Sequence, residues 1–110
     1  MEVVRASSLP RTGLLGSGPE PYCLLSVGAA SRRTSTSSGT SPWWNQTLHF
    51  PLTLPAGLTL NIDLFDSDYL TKDDFLGHAC LDLGEAEELG SQEVKLELDN
   101  GGQLVLRTKW

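Results

Sequence analysis

Lysine and arginine are scarce: eight in 110 residues, against fourteen aspartates and glutamates, for a net charge of −6 at pH 7. A chain with so little basic surface makes a poor nucleic-acid binder. Its overall field also repels anionic membrane unless bound cations change that field locally. Arg32 and Arg33 form the only adjacent basic pair, and much of the acid lies in 63–99. Cysteine is scarce too. Cys23 and Cys80 form no Cys-x-x-Cys and no metal-type pairing with His49 or His78. Both stand in apolar stretches, so the expectation is reduced, buried thiols in a cytoplasmic protein, with a disulfide left open. No apolar run reaches the roughly 18 residues a membrane-spanning helix needs. "MEVVRASSLP" lacks an apolar h-region, so no secretory leader is expected. Catalytic patterns are missing as well. "LLSVG" and "GSG" do not complete Gly-x-Ser-x-Gly, and two histidines beside an acidic loop do not make a hydrolase, so the chain is not expected to be an enzyme.

What is present is a β pattern. Hydrophobic residues make up 39% of the chain and charged residues 20%, a globular balance. The length suits a single domain over 1–110 that buries about two-thirds of its unfolded surface. Leu58, Leu60, Ile62 and Leu64 alternate with Thr59, Asn61, Asp63 and Phe65. Val94, Leu96 and Leu98 alternate with Glu93, Lys95 and Glu97, and Leu104 and Leu106 with Gln103 and Arg107, though Val105 blurs that last pattern. Each run is a half-buried strand. Between the last two stands "DNGG", Asp99 to Gly102, which predicts a hairpin with a type I′ turn whose central residues both take positive φ.

Further strands are expected at 2–7, 21–28, 31–37, 44–50 and 77–83, and a short helical turn in "GEAEELG" (84–90). Gly, Pro and Ser punctuate the spaces between. The first strand has only Val3, Val4 and Ala6 as apolar residues, so it is expected to be truncated. About eight short strands joined by turns imply an all-β fold, an antiparallel sandwich or barrel.

Residues 64–77, "LFDSDYLTKDDFLG", crowd Asp66, Asp68, Asp73 and Asp74 into nine positions. Like charges this close call for a cation or for free exposure to water. An EF-hand does not fit: position 5 is Leu70, and neither the Gly at position 6 nor the Glu at position 12 is present. Taken on the residues alone, the favoured reading is a solvated turn rich in aspartate, since charge runs usually face water.

"PEPYCLLSV", "SPWWNQTLHF" and "LFDSDYLTKDDFLG", in that order, resemble the C2 domain family. That family has Asp-Pro-Tyr opening a strand, an Asn-Pro-x-Trp-Asn-Glu turn, and Asp-x-Asp followed by Asp-Asp-Phe-x-Gly. The likeness runs from "VVRASSLP" to "GGQLVLRTKW". The last strand follows the "DNGG" hairpin and none precedes "VVRASSLP", which resembles the circular variant, or second topology, found in cytosolic phospholipases A2, phospholipases C and perforin. The resemblance implies an eight-stranded antiparallel Greek-key β-sandwich. Three loops at one end hold calcium and dip into membrane.

Carried over residue by residue, Asp66, Asp68 and Asp74 fall on the calcium-ligand positions of loop 3, and Asp73 does not. Loop 1 departs from the pattern: Glu20 stands at its second ligand position and Leu14 at its first, and "SSGTSP" in the middle loop has no carboxylate. One calcium ion, weakly held by Asp66, Asp68, Asp74 and Glu20, is what these residues can support, since calcium takes six to eight hard oxygens. The apolar loop tips, Leu14, Leu15, Tyr69 and Leu70, are the expected membrane contacts. The implied function is a non-catalytic, peripheral membrane-targeting module that binds phospholipid, expected as a monomer and without nucleic acid. The alternative is a calcium-independent protein-interaction module of the same fold. Arg32 and Arg33 lie where some family members keep a basic phosphoinositide patch, but a lone pair suits an ordinary edge strand. "RRTS" (32–35) resembles a basophilic kinase site, and "NQT" (45–47) is a glycosylation sequon expected to stay bare.

Overall fold

The computed structural model describes residues 1–9, 20–50, 59–67, 73–85, 90 and 92–108. They form eight strands: β1 (Glu2–Ser7), β2 (Pro21–Val27), β3 (Ala30–Arg33), β4 (Trp43–Thr47), β5 (Thr59–Asp66), β6 (Asp74–Asp82), β7 (Gln92–Glu97) and β8 (Gln103–Thr108). Two four-stranded sheets result, one ordered β4-β1-β8-β7 and the other β3-β2-β5-β6. Every pairing is antiparallel.

The period of two decides which side chains meet between the sheets. Leu60, Ile62 and Leu64 of β5 are fully buried, and so are Cys23 and Leu25 of β2 and Leu104 and Leu106 of β8. Their polar alternates, such as Asn61 and Gln103, are exposed. Val105 blurs the alternation because it too is buried, at 3%, yet it stands outside the core cluster, as does Val4. Where β5 meets β6 the register slips between Leu64 and Phe65: Leu64 faces Gly77 and Phe65 faces Phe75. Leu76 is therefore the extra residue of a β-bulge, and the bulge turns its side chain into the core.

The β7–β8 hairpin forms where expected, but its turn is not type I′. Gly101 has φ 93°, whereas Asn100 has no positive φ. The Gly101 amide donates to Leu98 O at 3.0 Å and the Leu98 amide to Gly102 O at 2.7 Å. This is a type I turn followed by a glycine bulge. Asn100 has other work at this turn: its side-chain amide donates to Leu76 O, and its Oδ1 accepts from the Gly102 amide at 3.1 Å. The Asp99 amide donates to His78 O at 3.1 Å, and the His78 amide to Asp99 Oδ1 at 2.9 Å. The turn thus covers the free edge of β6 and clasps one sheet to the other, which protects an edge that could otherwise pair with a second chain.

The strand expected at 31–37 ends at Arg33 as a regular element. Beyond it, Thr34 N still bonds Cys23 O at 2.9 Å and Ser37 N bonds Pro21 O at 3.0 Å, so the chain keeps to the sheet edge without full pairing. Trp44 is half-buried against the core and donates through Nε1 to Pro21 O at 3.1 Å, while Trp43 is 59% exposed beneath the Arg5 guanidinium.

Both cysteines are free, but only Cys23 is buried. The expectation of two buried thiols fails at Cys80, which pairs across from exposed Asn61 and so shares its outward face. Iodoacetamide is expected to label Cys80 alone in the folded chain and Cys23 only after denaturation, as read by mass spectrometry. Burial also pushes the Cys23 thiol well above its ordinary range. The native state then keeps a proton that the unfolded chain releases above pH about 9, so stability falls as pH rises through that region.

Candidate functional site

The acidic end of the sheet is built by three segments that converge at the ends of β2, β5 and β6. Pro21 pairs with Asp66, and Asp66 pairs with Asp74. The Glu20 amide donates to Asp66 Oδ1 at 2.8 Å, and the Ser67 amide donates back to Glu20 O at 3.1 Å. This reciprocal pair ties the segment entering β2 to the segment leaving β5. Asp66 is only 8% exposed, whereas Glu20 and Asp74 are exposed. Three of the four predicted ligand residues, Glu20, Asp66 and Asp74, therefore meet at one end of the sandwich. The fourth, Asp68, lies outside the described residues, as do Leu14, Leu15, Tyr69 and Leu70.

All the donors these acids offer are hard oxygens, a set that suits calcium and magnesium rather than zinc or copper. Among the described residues, no group of three or more His, Cys, Asp or Glu side chains is assembled closely enough to hold a metal ion. The described part of the site thus supplies carboxylates of the right chemistry and shared location, short of a complete cage.

Asp73 lies next to these acids, just ahead of β6. It accepts a hydrogen bond from the Tyr22 hydroxyl. Burial raises the Tyr22 pKa first, and the bond to Asp73 and the Asp73 charge raise it further, while Arg33 opposes them. The phenol therefore keeps its proton and stays a donor.

Sequence reasoning missed the row of side chains beside the acids. The Arg33 guanidinium lies 3.8 Å above the Tyr22 ring. Tyr22 stacks on Phe65 with centroids 5.7 Å apart, and Phe65 meets Phe75 edge-on at 5.9 Å. Phe75 is 54% exposed. The signal was available: Tyr22 and Phe65 are the outward alternates of β2 and β5, and an aromatic at an outward position needs a neighbour of its own kind. Further along that face His78 Nδ1 sits 2.8 Å from Asp63 Oδ1, a partly exposed pair. Among the described residues, no helix is long and apolar enough to cross a membrane.

The sequence profile of the C2 domain family matches residues 1–99. Mouse extended synaptotagmin-3 is 32% identical over 99 residues, which cover 87% of this chain and 11% of that protein. Mouse cytosolic phospholipase A2 delta is 33% identical over 89 residues, 77% of this chain and 11% of that protein. A calcium-bound structure of a tandem pair of C2 domains from extended synaptotagmin 2 superposes with a TM-score of 0.80 at 31% identity, covering 99% of this chain and 43% of that one. Human GIVD cytosolic phospholipase A2 superposes at 0.84 with 22% identity, over 96% of this chain and 15% of that one, a likeness of fold. The chain spans about a tenth of the length of the first two relatives named.

Proposed function

We propose that this chain, which belongs to the C2 domain family, is a membrane-targeting module that adheres to phospholipid surfaces through its end loops, assisted by one weakly held calcium ion. As a C2 domain it is non-catalytic. The reading rests chiefly on the Glu20 amide bonded to Asp66 Oδ1, with Asp74 paired across from Asp66. That arrangement joins the loop-1 segment to the acids of loop 3.

In this reading Asp66, Asp68 and Asp74 hold the ion, and Glu20 completes the set. Calcium supplies positive charge at a point where the acids otherwise repel anionic headgroups. Leu14, Leu15, Tyr69 and Leu70 then enter the interface, and Phe75, next to Asp74, offers a further exposed apolar side chain. Leu14 in place of the first loop-1 acid removes one bridging carboxylate, which is why one ion and low affinity are proposed. The module would serve a larger, cytoplasmic protein.

A second reading, a calcium-independent protein-interaction module, draws on Trp43. An exposed tryptophan under an arginine is a composition favoured at protein interfaces. Co-sedimentation separates the two. Vesicles of phosphatidylserine and phosphatidylcholine are expected to pull the chain down in millimolar calcium, with at least about tenfold less in chelator, a difference of roughly 1.4 kcal/mol. Equal sedimentation in calcium and chelator would remove the ion from the account. No sedimentation in either would favour the protein-interaction reading.

A further inference from the structure

The "RRTS" segment offers two hydroxyls to an arginine-directed kinase, and the fold distinguishes sharply between them. Thr34 is 2% exposed. Its Oγ1 accepts from the Cys23 amide at 2.9 Å and donates to Ser35 O at 2.9 Å, so the hydroxyl is fully engaged inside the sheet edge. Ser35 is exposed, and so are Arg32 and Arg33. Among the described residues, Ser35 Oγ makes one hydrogen bond, at 3.1 Å to Gln46 Oε1, which also accepts from the Ser35 amide at 2.8 Å.

The backbone around Ser35 also suits capture. Strand β3 is the outer strand of its sheet, bonded along its length to β2 alone. From Thr34 the chain runs on along that edge, and among the described residues its backbone bonds to β2 there are those of Thr34 and Ser37. Contacts from the neighbouring sheet on this side are made through side chains: Arg32 Nε to His49 O at 3.1 Å, and Gln46 to Ser35. A kinase cleft that binds its substrate extended can take the place of these contacts without opening the core. With Ser35 as acceptor, Arg32 and Arg33 stand three and two residues ahead of it, where carboxylates of an arginine-directed kinase pair with guanidinium groups.

We propose that Ser35 is a phosphorylation site for an arginine-directed serine/threonine kinase using ATP, with Arg32 and Arg33 as its recognition residues and Thr34 excluded by burial. Ser35 Oγ attacks the γ-phosphorus of ATP. The Oγ–P bond forms and the bond from that phosphorus to the β–γ bridging oxygen breaks. ADP leaves, and the hydroxyl proton passes to the kinase's carboxylate base. The product carries nearly two more negative charges at pH 7. Ser35 Oγ can then no longer donate to Gln46. Arg33, two residues back on the same face of the edge, becomes a charge-assisted partner for the phosphate and is drawn from the Tyr22 ring it now covers.

The test incubates the folded 110-residue chain with the catalytic subunit of cAMP-dependent protein kinase and ATP, and locates phosphate by tandem mass spectrometry. One phosphate on Ser35 is the expected result, with the initial rate lowered at least about tenfold in Arg32→Ala and Arg33→Ala and phosphorylation lost in Ser35→Ala. The phosphorylated chain is expected to keep a cooperative melt, because an exposed hydroxyl carries the group. No incorporation, phosphate on Thr34 or elsewhere instead, or incorporation seen only after denaturation would each overturn the proposal. None of these outcomes depends on calcium or lipid.

Discussion

Asp66→Asn is expected to abolish the rise in melting temperature expected on adding calcium, while leaving the fold intact. An ion that binds only the native state stabilises it by mass action, about 2.7 kcal/mol at a concentration one hundred times the dissociation constant. The asparagine side chain keeps Oδ1 in place to accept the Glu20 amide, so the bond joining the two segments survives. What is lost is a carboxylate charge at a residue only 8% exposed, where the ion has little water to compensate for it. In chelator the variant should melt at or slightly above the parent, because one member of a crowded acidic cluster has been neutralised. Asp68→Asn should silence the calcium response in the same way. A variant that still responds like the parent would show that the ligand assignment is wrong.

Ile62→Ala is expected to be the most destabilising of the changes considered. Ile62 is fully buried in β5, pairing with Leu25 on one side and Ala79 on the other, and both of those are buried. Truncating such a side chain removes apolar burial and leaves a cavity that close-packed strands fill poorly, at a cost of about 2–5 kcal/mol. Whole domains of this size are stable by only about 5–15 kcal/mol. The melting temperature should fall by about 10–20 °C, measured by differential scanning calorimetry. Thr59→Ala, on the exposed side of the same strand, should change it little. Equal effects from the two would contradict the inward-outward assignment of β5.

The alternation of Leu60, Ile62 and Leu64 made β5 readable from the chain, because a residue in a strand has only two faces to choose between. The same rule sent Cys80 outward, but its apolar neighbours Ala79 and Leu81 hid the fact: β6 carries a bulge at Leu76, and a register that shifts within a strand cannot be read from alternation. The "DNGG" hairpin was visible, whereas its turn type was not. That type depends on Asn100 reaching Leu76 O on a distant strand, a contact with no local signature. The acids were conspicuous in the sequence, and the family resemblance sorted Asp73 from Asp66 and Asp74. The row Arg33, Tyr22, Phe65 and Phe75 takes one residue from each of four strands, β3, β2, β5 and β6, so only the sheet order could bring it together.

Isothermal titration calorimetry of the chain with calcium chloride bears most directly on the central claim, that acids gathered beside Glu20 form a cation-operated end to the sandwich. The account predicts a saturable heat fitting one ion per chain, absent in Asp66→Asn and Asp68→Asn. A titration indistinguishable from dilution, with the chain folded throughout, would contradict it.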